Sequence, residues 1–576
     1  RSFLTALFTP MAQGTIRPLS ERLFFMVFVN LFGMDALPFR IAVFLTMFAD
    51  LVLLCIVVNR LARSRIAGFA AACLWVVNVG LSTPLSWTSA YNQILCAFFL
   101  LLAFWCWLRF TETAERRWYW WLWLPFLLGF GALEMNVIYP ALAGLYALCC
   151  ARRYLIWTLP MFAASAIFTL VHRSVAPRQT GEIYRMYFDT SIATTLATYI
   201  RWTIGQARFF RGKQIDYWLI VTAEAVVAVG IIAAIVWMIR RRQWLVLLFA
   251  GWFLIAIGPV LPLKNHISDY YLTIPSIGLA MLGGWTVAQA WRAPRHVQIA
   301  AAVVVLAYAV PSAQASWRQT RWNWQGSQRA KAFLERVAYA HKLHPNKILL
   351  IRNMDSELFW IGFYGDPFRI FGLRDIYLTA DAEPRIEPFN ESGPLTRYFL
   401  AETAALHAIS HDKAVVYEVS GEKLRNVTDL YARLLASRGS DLEFSPRVEV
   451  AQAAYEPQVI DGFYAIEDRF RWMSKRGVVR VRGPRNASEK LEVSGTCPEQ
   501  HMLQGPLRLA ISVEGRPIAT HEINRSNLAF TFRDGLPADL VGMKSIDVAI
   551  EAERTISTPT DDRKLGVVIT TVSIGQ

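Results

Sequence analysis

Residues 38–65 read PFRIAVFLTMFADLVLLCIVVNRLARSR, a long apolar run interrupted by one carboxylate, Asp50, and closed by Arg60, Arg63 and Arg65. A run of this kind suits a hydrocarbon core of about 30 Å, and basic residues at its end mark the side on which it is retained. Working outward, further apolar stretches lie near 66–83, 90–108, 119–133, 135–150, 154–172, 217–239, 244–262, 270–290 and 297–314. With 38–60 they predict about ten visible crossings and an α-helical polytopic membrane domain.

The whole chain agrees with that reading. Of its 576 residues 54% are hydrophobic and 18% charged, and the net charge is +15. Soluble domains run at roughly 45–50% apolar and about 25% charged. The basic excess lies before residue 331, where 28 Lys and Arg face 11 Asp and Glu; afterwards the counts are 31 and 33. Collagenous, disordered and disulfide-rich classes are excluded by this composition.

Every second connection carries arginines: Arg60, Arg63 and Arg65; Arg109, Arg116 and Arg117; Arg152 and Arg153; Arg240, Arg241 and Arg242; Arg292 and Arg295. The short alternate connections at 83–89 and at Glu134 carry no Lys or Arg. This alternation puts the clusters in the cytoplasm and the carboxyl-terminal part outside it, as for a bacterial inner-membrane protein with a periplasmic domain. It also argues against nucleic acid, whose binders gather Lys and Arg on one face of a soluble domain. Counting back places 1–37 outside as part of a first external loop, so at least one crossing is expected upstream of Arg1. Cys55, Cys73, Cys96, Cys106, Cys149 and Cys150 fall in apolar stretches, and Cys497 stands by itself in the exported part. No disulfide is expected there.

Four regions follow. Residues 1–37 hold an amphipathic helix over 19–32; 38–315 form the membrane domain; 316–440 form an α/β segment; 441–576 form a jelly-roll-like β-sandwich. The α/β segment has expected strands at 347–352 and 414–419 and helices near 395–408 and 425–437. The sandwich rests on period-two runs at 478–481, 491–493, 507–513, 528–532, 546–550 and 566–574. The external loop 173–216 is rich in aromatics and Arg, which suits a helix at headgroup level.

Ionisable groups within apolar spans cost at least about 2.5–3.5 kcal/mol near the bilayer centre, so they mark structural glue or function. Asp50 and Glu224 are such groups. At the external corner Glu134 and Asn136 would cap a helix or bind a sugar hydroxyl. The stretch 261–278, LPLKNHISDYYLTIPSIG, gathers Lys264, His266, Asp269, Tyr270 and Tyr271 at the external interface. Lys264 and His266 offer donors to a phosphate, and Asp269 would orient His266 or cap the following helix. No P-loop, GxSxG, HExxH or paired CxxC is present, no metal site or cofactor is evident, and the histidines His407, His411 and His501 read as surface residues.

Here the chain resembles a family. Gly14-Thr15-Ile16-Arg17-Pro18-Leu19, the amphipathic helix ending Leu31-Phe32-Gly33, Asn59-Arg60-Leu61-Ala62, Thr83-Pro84-Leu85-Ser86-Trp87 and Ser268-Asp269-Tyr270-Tyr271-Leu272 through Pro275-Ser276-Ile277-Gly278 look like the polytopic GT-C glycosyltransferases. The likeness covers roughly 14–290 and is closest to the protein O-mannosyltransferase and TPR-containing O-mannosyltransferase branch, without the TPR array. It implies a transferase that moves a sugar from a polyprenyl-phosphate carrier to a glycan, lipid or protein acceptor on the external face, with inversion. It also implies an acidic base in the early first external loop, which would precede Arg1; Glu21 and Asp35 are poor substitutes. Leu133 stands where the branch often has the Lys of a Lys-Glu pair ending at Glu134. On this reading Arg17, Lys264 and His266 bind the donor phosphate, Glu134 and Asp269 support catalysis, and Trp87, Tyr91, Asn92, Asn136, Tyr270 and Tyr271 line the sugar and acceptor pocket. The rival is a non-catalytic membrane protein, a lipid-linked glycan flippase or an envelope glycan-binding scaffold. Matching broken helices in inverted repeats would favour the flippase.

Overall fold

The run that opens at Asp35 is one helix, Ala36–Ala62. Asp35 caps it by accepting from the Leu37 N–H at 3.0 Å, and Arg63 ends it in a left-handed conformation with φ 49°. Ser64 then caps the next helix, Arg65–Val76, through the Ala67 N–H. The computed structural model describes residues 3–10, 15–175, 184–205, 214–388, 395–421, 423–467, 470–558 and 561–575. Gly14 and the loop residues Arg208, Arg211 and Lys213 lie outside them. The chain divides into two units, Arg1–Asn323 and Trp324–Gln576.

Among the described residues of the first unit five helices are long and apolar enough to cross a membrane: Ala36–Ala62, Thr88–Thr113, Arg152–Val175, Tyr217–Arg240 and Arg295–Leu343. The pair Arg65–Val76 and Val79–Ser86, bent by 60°, makes a sixth if counted as one span. The expectation of ten crossings is corrected accordingly. The stretches at 119–133, 135–150, 244–262 and 270–290 are helical, but as Arg116–Ala132, Glu134–Cys150, Leu245–Val260 and Pro275–Ala290 each has at most 17 residues. Turns at Leu133, Leu261 and Asp269 hold them to 16 or 17 residues, at or under the short end of the roughly 17–25 that a crossing uses. The amphipathic segment is a π-helical turn, Pro18–Leu23, followed by Phe24–Phe32, rather than one helix over 19–32.

Close helix packing uses small residues, as membrane bundles do. A Cβ on Gly284 would stand 2.4 Å from the Ala67 carbonyl oxygen, so only glycine lets Pro275–Ala290 approach Arg65–Val76 this closely. Arg60 pairs with Glu112 at 2.7 Å, while Arg109 and Arg117 lie over Trp118 and Arg116 over Trp157. Several of the arginine-bearing connections therefore share one end of the unit.

The second unit starts from a five-stranded sheet of β1 Ile348–Arg352, β2 Ile376–Thr379, β3 Phe399–Leu400, β4 Ala414–Ser420 and β5 Lys423–Asn426. Its order is β3-β2-β1-β4-β5, parallel except for β5. Both faces are covered, as parallel sheets require. Leu349, Ile351, Val415 and Tyr417 pack with Phe333, Val337, Leu358 and Phe359 on one face. On the other, Leu350 and Val416 pack with Ala404 and Ala408 of helix Glu402–Ser410 and with Tyr431 and Leu435 of helix Thr428–Arg438. The expected strands at 347–352 and 414–419 are present. The helix expected near 395–408 begins at Glu402, after β3, and that near 425–437 begins at Thr428, after β5.

The remaining strands are β6 Arg447–Glu449, β7 Val459–Glu467, β8 Phe470–Arg482, β9 Lys490–Thr496, β10 Leu507–Val513, β11 Arg516–Ile523, β12 Ala529–Gly535, β13 Ser545–Ala552, β14 Ile556–Thr558, β15 Asp561–Leu565 and β16 Val568–Gly575. They do not make the two separate sheets of the expected sandwich. One antiparallel nine-stranded sheet runs β11-β10-β13-β8-β16-β9-β12, with β6 on β16 and β7 on β8. The cause is the length of β8: Trp472 pairs with Val568 of β16, while 476–482 pair with 545–551 of β13. At the sheet's two ends β11 meets β12 through side chains, because His521 stacks on Phe532 at 4.1 Å and pairs with Asp534 at 2.8 Å. The sheet thus curls nearly into a barrel. The boundary placed at 440/441 does not separate two cores, since Leu350 and Val416 belong to the same cluster as Val479, Val493 and Ile550.

Candidate functional site

The corner after Arg116–Ala132 is held from two directions. Asn136 donates to the Phe126 carbonyl at 2.7 Å, and it reaches that oxygen because Gly129 has no side chain; a Cβ there would stand 2.6 Å from the Asn136 amide. Ser20, in the turn Pro18–Leu23, donates to the Ala132 carbonyl at 2.7 Å. These two bonds bring Arg17 against Glu134. Arg17 Nε donates to both carboxylate oxygens at 3.1 and 3.0 Å, and its guanidinium also pairs with Glu21. His172 Nε2 lies 3.6 Å from Glu134 Oε1. Burial by itself would raise the Glu134 carboxyl, but the neighbouring His172 and the Arg17 charge outweigh it and hold the group below its ordinary range.

The stretch 261–278 builds the second part. Tyr187 N–H donates to the Pro262 carbonyl at 2.9 Å, which lays 184–191 alongside it. Lys264 pairs with Asp189 at 3.0 Å and sits 3.9 Å above the Tyr187 ring. Asp189 in turn accepts from the Ser191 N–H at 2.8 Å; Ser191 and Lys264 together hold its carboxyl down to about 2. His266 Nε2 is 2.9 Å from the Tyr270 hydroxyl, with the Tyr184 ring 4.6 Å away and Tyr271 edge-on at 5.8 Å. Trp87 stands edge-on to Tyr270 at 6.0 Å, and the Arg17 charge is near enough to act on Tyr270. Asp269 accepts from Thr83 Oγ1 at 3.2 Å and so ties the 82–86 turn to this cluster.

Arg17 and Glu134, and separately Lys264, His266, Tyr270, Tyr271 and Trp87, thus lie together at one end of the unit. Two pocket assignments are corrected. Tyr91 packs at 4.5 Å on Phe24 and bonds Thr46 at 3.0 Å, so it belongs to the seat of the amphipathic helix. Asn136 is fully buried and its amide nitrogen braces the corner. Asn92 is buried at the start of the same helix as Tyr91. Asp50 lies on the buried stripe of its helix, and neither carboxylate oxygen has a hydrogen-bond partner among the described residues. Glu224 reaches Gly205 at the end of helix Ser191–Ile204. Tyr184, Tyr187, Asp189, His172 and Thr83 join the site without having been singled out. The Asp189-Thr190-Ser191 capping pattern was the readable signal for one of them.

Beside the cluster lies an apolar slot of about 370 Å³ among Arg65–Val76, Ser191–Ile204, Gln214–Arg240, Pro275–Ala290 and Arg295–Leu343. Among its few polar groups, Asn78 bonds Tyr308 at 3.0 Å and Trp75 Nε1 donates to Ser276 at 3.0 Å. The rest is small and aliphatic, including Gly230, Ala233, Ala234, Gly283 and Ala301.

No protein-family model, curated protein or solved structure matches this chain. Its function therefore rests on the site. Among the described residues no group of three His, Cys, Asp or Glu is placed to hold a metal ion.

Proposed function

We propose that the protein is an integral-membrane glycosyltransferase that moves a sugar from a polyprenyl-phosphate carrier to an acceptor on the extracytoplasmic face, with inversion, in the manner of the GT-C enzymes. The observation that carries this reading is the adjacency of a Lys264, His266 and aromatic cluster to a dry slot. One suits a phosphate and a sugar ring, the other an isoprenoid tail. Lys264 and His266 donate to the phosphate as the anomeric bond breaks, which stabilises the leaving group's charge. Trp87, Tyr270 and Tyr271 offer ring faces and hydroxyls to the sugar. Glu134 is a positioning residue, since Arg17 already occupies both its oxygens. The base that takes the acceptor's proton is not assigned to any of these groups.

One observation favours the rival, a flippase or scaffold. Lys264 is neutralised by Asp189 and Arg17 by Glu134 and Glu21, so a phosphate must displace a carboxylate to reach either cation. The two are separated by incubating the protein, in vesicles, with a radiolabelled polyprenyl-phosphate sugar and measuring both release of polyprenyl phosphate and movement of the lipid between leaflets. The enzyme releases carrier phosphate at a rate cut at least about tenfold by Lys264→Ala and by His266→Ala. Lipid movement without sugar release, or release indifferent to both substitutions, refutes the transferase.

A further inference from the structure

The parallel sheet of the second unit has the order of a doubly wound fold. From β1 the chain passes to β2 and β3 on one side through helix Ser356–Gly362, then returns through helix Glu402–Ser410 to β4 on the other side. The two helices cover opposite faces. Such sheets leave a crevice outside the carboxyl ends of the strands where the order reverses, here between β1 and β4, and ligands bind there.

That crevice is polar. Arg352, the last residue of β1, donates through Nε to Asp381 Oδ2 at 2.8 Å and lies 3.8 Å from Glu418 of β4. Its guanidinium stands 5.5 Å over the ring of Tyr431. Glu402, at the start of its helix, pairs with Arg438. The charges of Asp381, Glu402, Arg352 and Arg438 all act on the Tyr431 phenol, which places it at their centre. Two polar atoms remain unused. Tyr431 is 1% exposed and its hydroxyl has no hydrogen-bond partner among the described residues, and Asp381 Oδ1 is likewise buried and unbonded among them. An unmade bond of this kind costs about 1–3 kcal/mol, so two in one place point to an absent partner. The rim above these two buried atoms is open to solvent, since the Arg352, Asp381 and Glu418 side chains keep 23%, 29% and 30% exposure.

The partner's chemistry follows from what is on offer. Asp381 Oδ1 only accepts, the Tyr431 hydroxyl donates and accepts, and Arg352 only donates. An anion would face Asp381, Glu402 and Glu418; an ammonium would face Arg352 and Arg438. A neutral group that donates and accepts at adjacent atoms satisfies all three, and vicinal sugar hydroxyls do so. We infer that the carboxyl end of this sheet, around Arg352, Asp381 and Tyr431, is a binding site for a neutral monosaccharide unit, separate from the membrane cluster.

The test is saturation-transfer NMR on the full chain in a sugar-free detergent, with the methyl glycosides of glucose, mannose and galactose as probes. Saturation is expected on the ring protons of at least one glycoside, with affinity lowered about three- to tenfold by Tyr431→Phe and by Asp381→Asn. Because the hydroxyl has no partner among the described residues, Tyr431→Phe should unfold no earlier than the parent when sugar is absent. Absence of transfer to all three glycosides overturns the inference. So does transfer indifferent to Tyr431→Phe and Asp381→Asn, or a Tyr431→Phe protein that melts earlier.

Discussion

Replacing Arg17 by Met leaves the Glu134 carboxylate, at the corner after Arg116–Ala132, without its main partner. The guanidinium Nε is 3.0 and 3.1 Å from the two oxygens, and the side chains keep 18% and 25% exposure. With charges about 4 Å apart and an effective dielectric of about 20, the attraction is on the order of 4 kcal/mol. Desolvation of both groups cancels roughly half of it, which leaves a coupling of about 2 kcal/mol. His172, 3.6 Å from Glu134, tempers the single loss, so Arg17→Met should cost about 2–3 kcal/mol, and Glu134→Gln a similar amount. The double variant should cost little more than either. The assay is a double-mutant cycle on thermal or SDS-induced unfolding of the purified protein. A coupling under about 0.5 kcal/mol refutes the reasoning, because the pair would then be no better than a solvated surface bridge. The Glu134 carboxyl is held below its ordinary range, so its contribution is complete above that range and is lost as pH falls through it. An acid limb identical in the parent and in Glu134→Gln would contradict this.

Three further outcomes are expected. Gly129→Ala should lower the melting temperature by overpacking worth about 1–3 kcal/mol, since the new Cβ would meet the Asn136 amide at 2.6 Å, and Asn136→Ala should recover part of it; a Gly129→Ala protein that melts with the parent removes the proposed brace. Gly462, with φ +76° and a built Cβ only 1.8 Å from the Arg476 carbonyl oxygen, should not tolerate alanine, and circular dichroism showing an intact β-signal at the parent's melting temperature would be the contrary result. His501 is buried, donates through Nε2 to the Gly566 carbonyl at 2.7 Å and has its imidazole pushed down by burial. The unfolded chain therefore takes up a proton that the folded one resists, and stability should fall as pH drops below about 6.5, by up to roughly 1.4 kcal/mol per unit; His501→Gln should flatten that slope, and an unchanged slope would assign it to other groups.

His501 shows where a linear reading stops. It was expected at the surface, yet the curled sheet closes over it, and no local pattern announces that. The corner at Glu134 was legible as a polar interruption between apolar runs, but the partner 117 residues away was not. Asp189 and His172 entered the site only because 184–191 lies against Pro262 and Arg152–Val175 ends beside Glu134.

The sequence by itself determined the parts that depend on local chemistry. Apolar length and the placing of arginines marked the helical membrane unit, Asp35 and Ser64 set helix starts, and period-two runs marked most strands of the last sheet. Tertiary structure decided what depends on contacts distant along the chain. It set how many helices are long enough to cross, because turns at Leu133, Leu261 and Asp269 are imposed by packing. It joined the expected sandwich into one curling sheet, because β8 pairs with β13 along one part of its length and with β16 at Trp472. It also moved Tyr91 and Asn136 from a ligand pocket into the frame, because a polar side chain bonds whatever the fold brings within about 3 Å.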